Sequence, residues 1–559
     1  MSFFPALGQS NFRALREAGA GYVDKTRFIA EILADPTQVL LFPRPRRFGK
    51  TLLLSALDHF LAMRGEDLSH LFQDLAVWSD TAALEHFQRY PVIFLTFKDV
   101  KALSYEGTVD AIRLLMRELY QQHRELLESG MLHAEEVDAF ERMLRGDASE
   151  AELSRSVKVL SELLARRHGR KVVILIDEYD TPIQSGYLRG FFDQVTTFFR
   201  NLLSAALKDN PALYKGVLTG VLRVSRESLF SGLNNVVVCS LLSEQYAAAF
   251  GFTEAEVAAL VAPERLGELR AWYNGYLFGG EVIYNPWSIL SYLKIGKIEP
   301  YWINTGSNEL LLNLLAQRGM GLSVESEALL RGEAVEARVD ENIVLRDLDL
   351  QPESIWSFLL FSGYLRPSAL REEDGELIGS LVIPNREVRV AYRDLFRGWL
   401  RRGLSERRHV EELISALLSG DAGTLEALLE RLLLTVMSYQ DPAGREPEKL
   451  YHGFILGLFV QLEGDYDVRS NRESGYGRAD VLLRPRASGR PGVVLELKVP
   501  QRGETPEQAL VAAARQVRAR RYAAELVAAG ASPVHELCAV FDGKRAWVQS
   551  VDEALVAAP

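Results

Sequence analysis

Four short apolar runs stand out in the first part of the chain: Gln38-Val-Leu-Leu-Phe42, Tyr90-Pro-Val-Ile-Phe-Leu-Thr-Phe97, Lys171-Val-Val-Ile-Leu-Ile176 and Leu213-Tyr-Lys-Gly-Val-Leu-Thr-Gly-Val221. Unbroken apolar runs of this length predict strands buried on both faces. The stretches between them have helical spacing, as in Thr51–Leu61 and in Ile112, Leu115, Leu119 and Leu126. Strands alternating with helices predict a parallel α/β sheet. Ahead of the first strand, a lead-in carries a helix from Arg27, with Thr26 as its N-cap. Residues 250–435 change character and read as mostly helical. A strand at Leu381-Val-Ile-Pro384 follows the acidic turn Glu372–Glu376, which suggests a helical or winged-helix-like lid. The turn-rich stretch Gln440–Pro447 is the best boundary in the chain. Beyond it come an apolar helix, Tyr451–Leu462, and strands at Tyr466–Ser470, Gly477–Leu483 and Gly492–Val499.

A length of 559 residues exceeds a single core. The expected division is 1–250, 251–439 and 440–559. Composition is that of an ordinary globular protein, 48% hydrophobic and 25% charged. A net charge of −11 excludes a passive polycation, so any nucleic-acid contact must come from local basic patches. The two cysteines, Cys239 and Cys538, exclude a disulfide scaffold and a cysteine-rich zinc site, and they fit a reducing cytosol. No uncharged apolar run reaches the ~18 residues of a membrane span. Met1-Ser-Phe-Phe-Pro5 lacks the basic start and apolar core of a secretion signal. A cytoplasmic protein without a membrane partner is therefore expected.

The first candidate chemistry lies between the first strand and its helix, in Arg44-Pro-Arg-Arg-Phe-Gly-Lys-Thr51. Strand, loop, Gly49-Lys50-Thr51, helix is the context of a phosphate-binding loop: free N–H groups and the helix dipole face the phosphate. Lys50 would reach the β- and γ-phosphates of ATP, and the Thr51 hydroxyl would sit on Mg2+. The pattern departs from G-x-x-x-x-G-K-[ST], because Arg44 stands at the first glycine. The third strand ends in Asp177-Glu178-Tyr-Asp180. Such an Asp holds Mg2+, and the following Glu orients the attacking water. Thr219 at the fourth strand's end is a candidate γ-phosphate sensor, and Arg223 or Arg226 a candidate for neutralising transition-state charge. A solvated turn is the plainer account of either Arg. Trp272–Phe278, Tyr284–Trp287 and Tyr301-Trp302 could stack bases, but core and turn aromatics are the favoured reading.

The second chemistry is C-terminal. Glu496 and Lys498 are two apart on a strand and share a face. Asp480 on the partner strand can bring its carboxylate beside Glu496. Two carboxylates suit Mg2+, which takes oxygen ligands. Lys498 can orient or deprotonate metal-bound water and stabilise charge on a scissile phosphate. The following helix carries Arg515, Arg518, Arg520 and Arg521, which could touch a phosphate backbone or simply form a solvated face.

With these residues in view, the N-terminal part resembles the AAA-ATPase-like domain family, whose loop reads Arg-Pro-Arg-Arg-Phe-Gly-Lys-[Ser/Thr]. Asp177–Asp180 and Gly220 through Asn235 look similar as well. The resemblance implies Arg46, Arg47, Phe48, Gly49, Lys50 and Thr51 in the nucleotide site, with Asp177, Thr219 and Arg223. The C-terminal part resembles the PD-(D/E)XK nuclease superfamily through Tyr451-His-Gly453, Glu473–Asp480, Glu496-Leu-Lys498 and Gln516–Tyr522. It implies Asp480 and Glu496 as metal ligands, Lys498 as the catalytic lysine, Gln516 in support, and Glu448 or Glu473 as a further acid. Ala479 stands where the superfamily usually has Pro.

Together these features lead to an expectation of an ATPase joined to a Mg2+-dependent nuclease, with Mn2+ as a substitute metal and DNA as the foremost substrate. Nucleotide state would gate cutting. An arginine acting in trans would require a homo-oligomer through the ATPase domain. The alternative is a nucleotide-switched sensor or scaffold that binds nucleic acid or a partner without cutting.

Overall fold

A computed structural model describes residues 3–222, 235–303, 324–343, 345–351, 353–393, 407–436, 465–474, 477–501 and 503–556, with Tyr451, Ile455, Phe459 and Leu462. The chain divides into two compact units, residues 1–310 with 334–388, and residues 311–333 with 389–559.

The first unit is built on a five-stranded parallel sheet in the order β2-β3-β4-β1-β5. Its strands are β1 (Val39–Pro43), β2 (Val92–Thr96), β3 (Val172–Asp177), β4 (Leu213–Gly220) and β5 (Val236–Val238). Every residue of β1 and β3 is buried, as the unbroken apolar runs predict. β2 lies at an edge and alternates between half-buried and buried positions. The register aligns Phe42 with Thr219 and Thr96 with Asp177. Four strand ends therefore gather at the carboxyl edge of the sheet, where α/β proteins place their ligands.

Helix Glu150–His168 packs on β3, Tyr105–Gln122 packs on that helix, and Ala134–Arg145 packs on Tyr105–Gln122. Ile112, Leu119 and Leu126 are buried, as their spacing predicts. The helix after Thr26 runs Arg27–Ala34, but Thr26 makes no side-chain cap there. Its hydroxyl donates to Asp24 and accepts from the Val77 N–H instead.

The middle region is largely helical and adds two small sheets. One joins β6 (Phe252–Thr253), β7 (Tyr276–Phe278) and β8 (Glu281–Tyr284). The other joins β9 (Val335–Arg338), β10 (Arg366–Glu373) and β11 (Glu376–Val382) in antiparallel pairs. The strand expected at residues 381–384 thus begins earlier, at Glu376, and β10 is a partner that apolar pattern could not reveal. Six of its eight residues are exposed, so they carry no inward-facing alternation.

The second unit holds a mixed sheet in the order β12-β13-β14-β15-β16: β12 (Tyr466–Ser474), β13 (Gly477–Pro485), β14 (Gly492–Lys498), β15 (Val534–Asp542) and β16 (Arg545–Ser550). Only the β14–β15 pair is parallel. One face packs on Leu417, Leu429 and the helical residues Tyr451, Ile455 and Phe459. The other packs on Ala513, Val517 and Tyr522. The boundary stretch Gln440–Pro447 and most of the expected helix Tyr451–Leu462 lie outside the described residues.

Candidate active sites at the two sheets

At the first sheet, Gly49 (φ +86°) turns the chain into the helix Lys50–Leu61 and makes no side-chain cap, which leaves the helix N-terminus open to a ligand. Arg47 adopts φ +68°, a backbone cost that a branched loop accepts only where its surroundings impose it.

Those surroundings explain how the loop dispenses with its first glycine. Arg44 is fully buried. Its guanidinium donates to the carbonyls of Pro43 (2.9 Å) and Cys239 (2.7 Å) and lies over the rings of Phe250 and Phe278. Burial pulls the guanidinium down to about 10. Phe48 is buried against Tyr276 and Phe278. The Trp302 indole N–H donates to the Arg46 carbonyl at 3.0 Å. Gly363 sits against Pro45, where an added Cβ would come within 2.9 Å of its ring. The middle region thus grips the loop from outside. Its aromatic residues are core: Tyr276, Phe278 and Trp302 pack or bond on the loop, while Tyr273 and Tyr284 are buried in a neighbouring cluster with Val257 and Leu269. Trp287 differs, with the Arg47 guanidinium 4.4 Å from its ring centroid.

Lys50 Nζ donates to the carbonyls of Arg44 and Pro45, both at 3.0 Å. Burial lowers its pKa, and the charges of Glu178, Asp177 and Asp180 oppose that. Thr51 Oγ1 donates to Asp177 Oδ2 at 2.7 Å, and Thr219 Oγ1 to Asp177 Oδ1 at 2.6 Å. Burial raises the Asp177 pKa, and these two hydroxyls hold it back. Glu178 has φ +50° and accepts from Thr181 Oγ1 at 3.2 Å. A cavity of about 660 Å3 opens over these residues, within the range of nucleotide-sized pockets. Lys50, Thr51 and Glu178 are among the residues that line it, as are Phe3, Tyr22 and Trp287. Thr51 and Asp177 are oxygen donors in contact, a pair that suits a Mg2+ ion. Arg46, Arg47, Phe48, Gly49, Lys50, Thr51, Asp177 and Thr219 are thus gathered. Arg223 and Arg226 lie outside the described residues.

At the second sheet, Glu496 is fully buried on β14. Its Oε1 accepts from Gln516 Nε2 and lies 3.5 Å from Lys498 Nζ, while its Oε2 has no hydrogen-bond partner among the described residues. Burial and the nearby charge of Asp480 push Glu496 up to about 8, against the pull of Lys498. Asp480, half-buried on β13, accepts the Leu497 N–H at 2.9 Å. Gln516 comes from the helix Pro506–Arg520 and also donates to Tyr522 Oη at 3.3 Å. Tyr522 is 1% exposed and completes the cluster. It was visible at the end of the Gln516–Tyr522 stretch but carried no separate signal.

An orphaned buried carboxylate oxygen beside a second carboxylate fits a divalent cation. Asp480 and Glu496 are the two acids brought together here, and among the described residues no group of three or more His, Cys, Asp or Glu could hold a metal. Glu448 and the Glu473 side chain lie outside the described residues. Of the basic helix, Arg518 is paired with Asp552, whereas Arg515 is exposed. Among the described residues no helix is long and apolar enough to cross a membrane.

Comparison with known proteins agrees with this division. A family model described as a predicted AAA-ATPase matches residues 6–230. A model described as the PD-(D/E)XK nuclease superfamily matches residues 446–551. An uncharacterized protein in the vnfD 5′ region of Azotobacter chroococcum mcd 1 is 29% identical over 500 residues, 85% of this chain and 86% of its own length. The chain therefore carries an AAA-ATPase-like domain followed by a PD-(D/E)XK nuclease superfamily domain.

Proposed function

We propose that the protein binds and hydrolyses ATP at the first site, cleaves phosphodiester bonds of DNA at the second, and uses nucleotide state to gate cutting. The observation that carries this reading is the state of Glu496: a fully buried carboxylate with one oxygen unpartnered among the described residues, a second acid beside it and a lysine at 3.5 Å.

In the first site, Lys50 leaves the carbonyls of Arg44 and Pro45 to meet the phosphates, and the free N–H groups of the Gly49–Thr51 turn cradle them. Thr51 and Asp177 hold the metal that accompanies ATP. Glu178 orients water toward the γ-phosphate, and Thr219 fixes Asp177. In the second site, Asp480 and Glu496 hold a divalent cation, Mg2+ first and Mn2+ as a substitute. Such a cation supplies Lewis-acid polarisation of a phosphate and a more acidic bound water. Gln516 orients Glu496. Lys498 places positive charge where the phosphate develops negative charge, and exposed Arg515 offers a contact to the nucleic-acid backbone. A cytoplasmic location and a homo-oligomer through the ATPase unit are part of this proposal.

The test is a comparison of parent and Asp480→Ala for DNA cleavage with Mg2+ and for ATP hydrolysis. Loss of cleavage with ATP hydrolysis retained is expected. Cleavage at the parental rate would show that the metal site is wrongly assigned.

A further inference from the structure

Asp180 closes the Asp177-Glu178-Tyr-Asp180 stretch, and a turn or helix cap would be its ordinary role. It does stand at the N-cap of the helix Thr181–Arg189, yet its side chain makes no cap bond there. The carboxylate instead reaches across to the end of β4. Its Oδ2 accepts the N–H groups of Val221 (3.0 Å) and Leu222 (2.9 Å). The same oxygen accepts Gln184 Nε2 at 2.7 Å, and Gln184 Oε1 accepts Arg46 Nη2 at 3.3 Å. Tyr179 Oη donates to the Leu222 carbonyl at 2.7 Å. The turn so held follows directly on Thr219, whose hydroxyl bonds Asp177.

This placement is costly. Asp180 is 1% exposed and its Oδ1 has no hydrogen-bond partner among the described residues. A buried, half-satisfied carboxylate is a large penalty for a turn that Ser or Asn could also tie. The neighbourhood is shaped around it as well. A Cβ on Gly220 would lie 2.6 Å from Oδ1, so only glycine leaves room for the acid. Its charge also reaches Lys50, where it favours the ammonium.

We propose that Asp180 is a positioning residue for nucleotide hydrolysis: linked through Gln184 to Arg46 of the phosphate-binding loop, it locks the end of β4 so that Thr219 stays on Asp177. The inference rests on the reading of the first site as an ATPase.

The test uses the full chain as parent, Asp180→Ala, Asp180→Asn, Gln184→Ala and the double variant Asp180→Ala/Gln184→Ala. ATP turnover, ADP affinity by calorimetry and melting temperature are measured for each. Asp180→Ala should lower kcat by about 10- to 100-fold, the usual cost of losing a residue that orients a metal ligand, while ADP affinity changes by less than about threefold. Asp180→Asn, which keeps an acceptor for the backbone N–H groups, should recover part of the loss. Gln184→Ala should lose less, and the double variant should be no worse than Asp180→Ala. Parental kcat in folded Asp180→Ala overturns the inference. So does a parallel fall of kcat, affinity and melting temperature, which marks a merely structural role. Should Asp180→Ala fail to fold, parental kcat in Gln184→Ala overturns the link to Arg46. Absence of ATP turnover in the parent is a separate result: it removes the ATPase reading, and this inference with it.

Discussion

Asp177 at the end of β3 and Glu496 on β14 are both buried acids whose pKa burial raises. Asp177 has a hydroxyl on each oxygen, from Thr51 and Thr219. Glu496 has Gln516 on one oxygen and, among the described residues, no hydrogen-bond partner on the other. Lys50 donates to two loop carbonyls, and Lys498 lies 3.5 Å from Glu496. The acid of the first site is therefore held by a hydroxyl on each oxygen, whereas that of the second keeps one oxygen without a hydrogen-bond partner among the described residues. This difference teaches where ligand binding changes stability most per site: a cation should matter more to the second unit than it does to the first.

The largest effect that would break the comparison is at Lys50. Lys50→Ala should weaken ATP binding by about a thousandfold, roughly 4 kcal/mol, as expected for losing one member of a buried charge contact; calorimetric titration checks this, and near-parental affinity would remove Lys50 from the site. Phe48→Ala, which empties a buried position against Tyr276 and Phe278, should destabilise the first unit by about 3 to 4 kcal/mol. Denaturant melts that follow each unit would show it, with the second unit's transition unmoved.

A third effect concerns Glu387, which is fully buried and accepts from Ser288 Oγ (2.8 Å) and the Trp302 N–H (2.6 Å). Burial raises it from 4.5 to about 7. A raised folded-state pKa favours folding below the unfolded value, and that contribution is lost as pH rises from 4.5 through 7. The span corresponds to on the order of 3 kcal/mol. Glu387→Gln should flatten the pH dependence of the first unit's stability across that window. An unchanged pH profile would show that Glu387 titrates normally.

The smallest effect sharpens the contrast at Glu496. With its pKa near 8, a cation must displace a proton at neutral pH. Mg2+ affinity should therefore rise between pH 6 and 8 by up to about tenfold per unit, and it should level off above that. Calorimetry in buffers of different ionisation enthalpy would detect the released proton. Affinity that is flat with pH would mean that Glu496 is already ionised.

How much of this was legible in the sequence follows from the range of each interaction. The strand–loop–helix around Lys50 and the Asp177 strand end are local patterns, and the Asp480–Glu496–Lys498 set lies within two consecutive strands. Buried parallel strands are unbroken apolar runs, so β1 to β4 could be read directly. The parts that escaped depend on contacts far along the chain. Asp180 meets Val221 and Leu222, and Trp302 meets Arg46. Nothing in a short window marks such partners. β5 is three residues long, and β10 is exposed along most of its length, so neither carries a hydrophobic period. Arg44, in place of the expected glycine, looked like a defect in the motif. Its burial under Phe250 and Phe278 makes it a structural pin of the loop.

The central claim is that the nucleotide site governs the cutting site. The most direct measurement is cleavage of linear and circular DNA with Mg2+, with and without ATP, by the parent and by Lys50→Ala. The account predicts cutting that requires ATP and fails in Lys50→Ala. Cutting at equal rates with and without ATP would contradict gating, and no cutting with either Mg2+ or Mn2+ would contradict the nuclease itself.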